Sequence, residues 1–207
     1  MPLKNKRLLY KEKVFFVDEN VYEPTEDSFL FAENLNVNHG ERVLEVGTGC
    51  GILAILAAKK AKEVVAVDLN PFAVRCATEN AFNNNVRDKI SFIQSDLISS
   101  VREGPMFDLI LFNAPYLPVG ESEAVSWLSR SWAGGPTGRQ LIDRFISDVP
   151  KYLKKSGRAL LMQSTLTGVN ETIHEFLKHG LQAKVISNRA LPFFETIVLL
   201  EAKPEET

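Results

Sequence analysis

From residue 41 onward, short runs of β-branched and other apolar residues alternate with segments of helical periodicity. Strands separated by helices cannot be joined by tight hairpins, so they run parallel, and a parallel sheet needs helices on both faces. The pattern therefore predicts an α/β fold with a seven-stranded, mostly parallel sheet. The predicted strands are Arg42–Val46, Glu63–Asp68, Ile90–Gln94, Phe107–Phe112, Arg158–Gln163, Ala183–Ser187 and Thr196–Glu201.

The last strand differs because only a short segment, Leu191-Pro192-Phe193-Phe194, precedes it, which leaves no room for a crossover helix. We expect it to form a hairpin with the strand before it and to run antiparallel to the rest. One domain over residues 1–207 is expected, with 1–40 as an extension and first helix, 41–202 as the sheet and 203–207 as a frayed tail. The predicted helices are Glu26–Leu35 capped by Thr25, Ile52–Lys59, Phe72–Phe82 capped by Asn70, and one opened by Gly138 that Pro150 bends or ends.

Charge and cysteine content exclude several classes of protein. The 24 Lys and Arg nearly balance the 26 Asp and Glu, so no global positive field favours non-specific nucleic-acid binding. Cys50 and Cys76 have no Cys or His partner at ligand spacing, and no metal site is expected. The longest apolar stretch, Ile52–Ala58, is too short to cross a bilayer, and no signal peptide is recognisable. We expect a cytoplasmic protein.

The first strand leads into a glycine-rich turn, Glu45 to Gly51, and then into a helix. Its Gly-x-Gly-x-Gly spacing differs from the Gly-x-Gly-x-x-Gly that places a pyrophosphate on a helix N-terminus, which favours a cofactor without phosphate. Asp68 ends the second strand, where an acid can accept hydrogen bonds from ribose hydroxyls. Asp96 follows the third strand, where it could accept from an adenine amino group. Each feature alone is equally typical of a turn or a helix cap, but all three share one sheet edge.

The fourth strand ends in Asn113-Ala114-Pro115-Tyr116. The Asn113 side-chain oxygen and the Ala114 carbonyl are two adjacent acceptors that can hold a planar NH₂ group, on which the Tyr116 ring can stack. Such a segment suits methylation of an amide or exocyclic amino nitrogen by positioning and electrostatics, without a metal or a strong base. The alternative is a simple turn built by Asn113 and Pro115.

These motifs resemble those of class I S-adenosylmethionine-dependent methyltransferases, which have a Rossmann-like sheet. The resemblance implies that Gly47 and Gly49 pass close to the methionine end of the cofactor. Asn113 to Tyr116 resembles the Asn-Pro-Pro-Tyr signature of amino-nitrogen methyltransferases, with Ala114 in place of the first proline. The residues expected to contact the cofactor are Thr25, Glu45, Gly47, Thr48, Gly49, Gly51, Asp68, Leu69, Asp96, Leu97 and Asn113.

Two further segments, Val21–Ser28 and Ala133–Arg144, resemble HemK-type glutamine methyltransferases, specifically the short archaeal and eukaryotic branch. That resemblance implies methylation of the glutamine in the Gly-Gly-Gln loop of a class I release factor. It also implies a small zinc-binding activator, docked at the edge strand near Ile90–Ile93. RNA or DNA amino-nitrogen methylation, lysine methylation and a non-catalytic scaffold stay open as alternatives.

Some roles in these segments are undecided by sequence. Glu23, Thr25 and Asp27 are candidates to line the cofactor pocket, yet helix capping explains Thr25 and Asp27 equally well. Trp127 and Trp132 either contact an incoming peptide or pack the long loop down. We interpret Arg139 and Asp143, four residues apart, as a surface helix pair.

Overall fold

The computed structural model describes residues 6–120, 123, 125–192 and 195–205. The helices are α1 Glu26–Asn34, α2 Ile52–Ala57, α3 Pro71–Asn83, α4 Trp127–Arg130, α5 Gln140–Tyr152 and α6 Val169–Lys178. The strands are β1 Lys6–Tyr10, β2 Lys13–Val17, β3 Arg42–Val46, β4 Glu63–Asp68, β5 Ile90–Gln94, β6 Phe107–Asn113, β7 Leu153–Ser164, β8 Leu181–Ala190 and β9 Thr196–Pro204.

Seven strands form one sheet in the order β5-β4-β3-β6-β7-β9-β8. The first five of these pair in parallel, whereas β9 is antiparallel to both β7 and β8. The expected fold class and the antiparallel last strand are therefore confirmed. Because the order reverses on either side of β3, the carboxyl ends of β3, β4 and β6 surround one crevice, the usual ligand site of an open α/β sheet.

The central strands are buried on both faces. In β6, Leu109 and Leu111 join the core under α1 and α2, while Ile110 and Phe112 join the core on the opposite face. This alternation follows from the two-residue period of a strand. The apolar stripe of α5 covers the second face. A sheet packed on both sides holds its strand ends rigidly, and those ends carry the candidate site.

An N-terminal hairpin of β1 and β2 was not expected from the sequence. Its turn contains Lys11 and Glu12 instead of a glycine pair, so no standard hairpin signal marks it. Tertiary contacts hold it: the buried Asn80 on α3 accepts from the Phe16 amide at 2.8 Å and donates to the Phe16 carbonyl at 2.8 Å. The Asn80 side-chain amide thus pairs with both backbone polar groups of Phe16, as a neighbouring strand would, and fixes β2 to α3.

Several boundaries differ from those predicted. Residues 203–204 belong to β9, because Leu181 pairs with Pro204, so the expected frayed tail is wrong for these two residues. Glu206 and Thr207 lie outside the described residues. The helix assigned to Gly138 begins at Gln140, and Pro150 lies in its last turn. Phe193 and Phe194 lie outside the described residues. Among the described helices, none has the length and apolar character needed to cross a membrane.

Candidate active site

The glycine turn after β3 forms one wall of a cavity at the carboxyl edge of the sheet. Gly47, Thr48 and Gly49 line this cavity, and a Cβ built on Gly49 would meet open space. Gly51 instead packs the turn onto α3, since its φ is +85° and a Cβ there would come within 3.0 Å of the Ala77 Cβ. Gly51 therefore supports the turn without lining the cavity, and its assignment to cofactor contact stays a prediction.

Asp68 braces the glycine turn from the end of β4. Its Oδ2 accepts a hydrogen bond from the Gly49 amide at 2.9 Å, and its Oδ1 accepts from the Asn70 amide at 2.9 Å. Burial raises the pKa of this carboxyl, and the two amide donors oppose that rise. Because each carboxylate oxygen has a further lone pair, the group can still accept from two vicinal hydroxyls in the cavity.

Glu45 is buried at the base of the turn. Its Oε2 accepts from the Thr48 hydroxyl at 2.6 Å and from the Ala54 amide at 3.1 Å. Burial raises the pKa of Glu45 to about 8, with a further contribution from the nearby Asp68 carboxylate. The Asp68 carboxylate on this side of the cavity disfavours a phosphate, which agrees with a nucleoside cofactor.

The segment after β5 places Ser95 and Leu97 on the cavity, where Leu69 from the end of β4 joins them. The side chain of Asp96 is half exposed and pairs with Arg144 on α5 at 2.9 Å, and it does not line the cavity. A role for Asp96 in reading the adenine amino group stays a prediction, which would require this ion pair to open.

Asn113 ends β6 with its side chain at the cavity. Its Nδ2 donates to Asp27 Oδ2 and to Ser28 Oγ, both at 3.3 Å. Its Oδ1 is buried and has no hydrogen-bond partner among the described residues. An unsatisfied buried oxygen costs about 1–3 kcal/mol, so this atom is suited to accept from a ligand. Ala114, Pro115 and Tyr116 continue along the same wall.

The start of α1 differs from the expected cap. Thr25 occupies the N-cap position, but its hydroxyl makes no cap hydrogen bond and contacts Tyr22 at 2.6 Å and Asp27 at 3.0 Å. Asp27 accepts from the Ser28 amide instead, at 2.5 Å. Asp27 lines the cavity and Thr25 does not, while Glu23 pairs with Lys6 away from the cavity. Capping therefore does not explain Thr25.

The glycine-rich turn before α5 holds the segment after Asn113. The Leu117 amide donates to the Trp132 carbonyl at 2.9 Å, and the Gly134 amide donates to the Leu117 carbonyl at 2.9 Å. A Cβ on Gly138, whose φ is +74°, would come within 2.4 Å of the Tyr116 carbonyl oxygen. This close approach explains the glycine and ties the backbone of Tyr116 to the start of α5.

Residues from the long loop and from the start of α1 also line the cavity, and among these the sequence had pointed to Asp27, Trp127 and Trp132. Trp127 and Trp132 both reach it, with Tyr22, Ser28 and Leu141. Burial raises the pKa of Tyr22 and of Tyr116, and Asp27 adds to both rises, so both phenols keep their protons.

Arg139 contacts more residues than the surface partner Asp143 expected from the sequence. Besides Asp143 at 2.6 Å, its guanidinium donates to the Gly168 carbonyl at 3.0 Å and to the Thr172 hydroxyl at 2.9 Å. It therefore joins the start of α5 to the start of α6. A longer-range tie of this kind leaves no local pattern in the sequence.

The cavity fits a nucleoside with a cationic tail. It offers the Asp68 carboxylate near the glycine turn, apolar contacts from Leu69 and Leu97, and the Glu45 carboxyl. No cluster of metal-ligating side chains occurs in the described part of the chain. Cys50 and Cys76 are buried free thiols, and burial raises the pKa of Cys76 to about 11, which makes it unreactive.

Comparisons with known proteins agree with this geometry. Residues 14–128 match the family model described as methyltransferase small domain. A Methanocaldococcus jannaschii protein named as a protein N5-glutamine methyltransferase is 46% identical over 181 residues, which cover 86% of this chain and 90% of that protein. Human methyltransferase HEMK2 is 33% identical over 181 residues, covering 82% of this chain and 84% of its own length.

The fold matches a solved structure with a TM-score of 0.68. That structure is the E. cuniculi Mtq2–Trm112 complex, described as responsible for methylation of the eRF1 translation termination factor. The likeness has 22% identity and covers 90% of this chain and 99% of that one. The family match and the two sequence relatives show that the chain belongs to the methyltransferase small-domain family. Its methyl donor is S-adenosylmethionine.

Proposed function

We propose that this enzyme methylates the side-chain amide nitrogen of the glutamine in the Gly-Gly-Gln loop of a class I translation release factor. The observation that carries the proposal is the buried Oδ1 of Asn113 at the cavity, for which the described part of the chain supplies no hydrogen-bond partner. The M. jannaschii relative is named for glutamine N5 methylation, and the E. cuniculi complex is described as acting on eRF1.

The segment from Asn113 to Tyr116, called the acceptor segment below, would hold the glutamine amide by accepting hydrogen bonds from both N–H groups of that amide. One N–H donates to Asn113 Oδ1 and the other to the Ala114 carbonyl, while the Tyr116 ring packs on the amide plane. The bound cofactor supplies an electrophilic methyl group. An amide nitrogen loses its proton readily once methylated, so the site needs positioning more than it needs a base.

A lysine acceptor is less well served by this site. An ammonium must lose a proton before it can accept a methyl group. Tyr22 and Tyr116 cannot take that proton near neutral pH because burial raises the pKa of each phenol. Neither phenol can therefore serve as the base that a lysine acceptor would need.

The test is incubation of the enzyme with labelled S-adenosylmethionine and either a class I release factor or total RNA. We expect one methyl group on the release factor, located by mass spectrometry on the glutamine of the Gly-Gly-Gln loop. A release factor with that glutamine changed to glutamate is the matched control and should remain unlabelled. Label that enters RNA alone would overturn the proposal.

We also infer a small activator protein at the β5 edge, with zinc binding as part of that proposal. β5 is an edge strand of the sheet, so its outer backbone groups are available for strand pairing. Phe82 on the neighbouring α3 is 73% exposed, which supplies an apolar contact beside the edge. The E. cuniculi structure holds Mtq2 together with Trm112.

A release factor acts in translation, so we propose that the enzyme works in the cytoplasm.

A further inference from the structure

Asp27 is a buried carboxylate that links its own segment, at the start of α1, to Asn113 at the end of β6. Only 5% of the residue is exposed. Its oxygens accept from the Tyr22 hydroxyl at 3.3 and 3.4 Å, from Thr25 Oγ1 at 3.0 Å, from Ser28 Oγ at 3.1 Å and from Asn113 Nδ2 at 3.3 Å. All of these except the Asn113 contact come from its own segment, as does the hydrogen bond from the Ser28 amide at 2.5 Å. The Asn113 contact joins α1 to the end of β6.

The chemistry of a carboxylate decides which way the Asn113 amide faces. An ionised carboxylate only accepts hydrogen bonds, so the NH₂ group of Asn113 must point toward Asp27 and the amide oxygen must point away. Ser28 Oγ, at 3.3 Å from the same nitrogen, supports this orientation. Without these partners, a half-turn of the amide would exchange nitrogen and oxygen with little change in shape.

We propose that Asp27 is a positioning residue for methyl transfer, which holds the Asn113 amide so that its oxygen accepts from the NH₂ group of the substrate. This inference rests on the proposed role of Asn113 as that acceptor. In the reversed orientation Asn113 would present an NH₂ group to another NH₂ group. The substrate nitrogen would then lose one of its two in-plane partners and its alignment with the methyl group.

The primary test is Asp27→Asn, which keeps the size of the side chain but lets it donate. We expect kcat for methyl transfer to fall by about thirtyfold. This is less than the roughly hundred- to thousandfold cost of losing one preorganised hydrogen bond, because the Asn113 amide itself remains in place. The dissociation constant for S-adenosylmethionine should change less than about threefold, because Asp27 acts on the acceptor side. Ser28→Ala should lower kcat less, since it removes the weaker of the two supports.

A compensating swap separates positioning from a structural role. Asn113→Asp alone puts two carboxylates in contact and should lower kcat by at least about thirtyfold. In Asp27→Asn/Asn113→Asp, the amide introduced at position 27 donates to the carboxylate introduced at position 113, whose second oxygen again faces the substrate. We expect the double variant to recover kcat by about tenfold or more over either single variant, a coupling that independent sites would not show.

Asp148→Asn, which changes a partly exposed carboxylate on α5 paired with Lys151, serves as the control and should leave kcat unchanged. Thermal unfolding and calorimetric titration with S-adenosylmethionine accompany each variant. Equal loss of cofactor affinity and kcat in Asp27→Asn, or no recovery in the double variant, would overturn the inference. If the wild-type enzyme labels RNA instead of the release factor, the proposed substrate is wrong, and the same cycle measured on RNA still tests Asp27.

Discussion

A change at Asn113 should affect binding of the substrate amide and leave binding of the cofactor nearly unchanged. Its Oδ1 has no partner among the described residues, and its Nδ2 is already held by α1. The amide therefore enters the site with one acceptor free and its donors engaged. Asp68 serves the cofactor side of the site. It lies at the end of β4, on the other side of β3, and braces the glycine turn.

Asn113→Ala should abolish detectable methyl transfer while the S-adenosylmethionine dissociation constant stays within about threefold of wild type. The physical reason is that the change removes the acceptor for the substrate N–H and leaves the glycine turn intact. Single-turnover assays with labelled cofactor and calorimetric titration measure the two quantities. A comparable loss of cofactor affinity would contradict the division of roles.

Asp68→Ala should do the reverse, raising the cofactor dissociation constant by at least about tenfold. Losing the carboxylate frees the Gly49 and Asn70 amides and removes the acceptors for the ribose hydroxyls. Calorimetric titration checks this, with Asp143→Asn, an exposed α5 carboxylate, as the control. Unchanged affinity would show that the cofactor does not reach Asp68.

The raised pKa of Glu45 predicts a pH-dependent stability in the cofactor-free enzyme. An ordinary glutamate ionises near pH 4.5 when unfolded, whereas burial raises the folded pKa of Glu45 to about 8. Between these values the folded state binds more protons, so the free energy of unfolding falls as pH rises. Denaturant titrations at pH 5 and pH 8 should show a decrease larger in wild type than in Glu45→Gln, by on the order of 1–3 kcal/mol. Equal pH dependence in both proteins would show that Glu45 ionises normally.

At the scale of elements, the acceptor segment depends on the turn that precedes α5. The Leu117 and Gly134 amide hydrogen bonds run side by side between these two segments, and Gly138 lies against the Tyr116 backbone. The turn therefore sets the position of the acceptor segment without contributing a side chain to it.

Gly138→Ala tests that coupling. The added methyl group would meet the Tyr116 carbonyl oxygen and Thr167 Cγ2 at a positive φ, so we expect a loss of roughly 2–4 kcal/mol in stability and a fall in kcat. Gly40→Ala is the matched control, because its φ is +82° but its Cβ would meet open space. That change should cost about 1 kcal/mol and leave kcat unchanged. Equal effects of the two changes in denaturant unfolding would contradict the packing argument.

At the scale of the molecule, the two sheet edges differ in how they are covered. β8 at one edge has a bulge near Ile186, a device that discourages pairing with other chains. β5 at the other edge pairs in continuous register with β4 and lies beside the exposed Phe82. We therefore expect the proposed activator to dock at the β5 edge.

Phe82→Asp should weaken association with the small activator by at least about tenfold, because it places a charge in an apolar contact. Leu177→Asp is the matched control, since Leu177 is 49% exposed on α6 beside the opposite edge. Co-purification and sedimentation of each variant with the activator measure the effect. Equal binding by both variants would place the partner elsewhere.

The sequence by itself determined the α/β sheet and the residues that follow its strands at the cavity, namely the glycine turn, Asp68 and the segment from Asn113 to Tyr116. Asp68 and Asn113 could be predicted because they follow strands, and parallel topology brings the carboxyl ends of neighbouring strands to one edge whatever the details of packing. The glycine turn was predictable for a similar reason, since its backbone requirement is local.

Only the tertiary structure decided which side chains meet across that edge. Asp27 reaches Asn113 from 86 residues away, and Asp96 turns outward to Arg144 from 48 residues away. The N-terminal hairpin likewise depends on Asn80, 64 residues from its partner Phe16. Contacts of this kind are set by how helices pack on the sheet, and side-chain packing between distant segments leaves no period or spacing in the sequence.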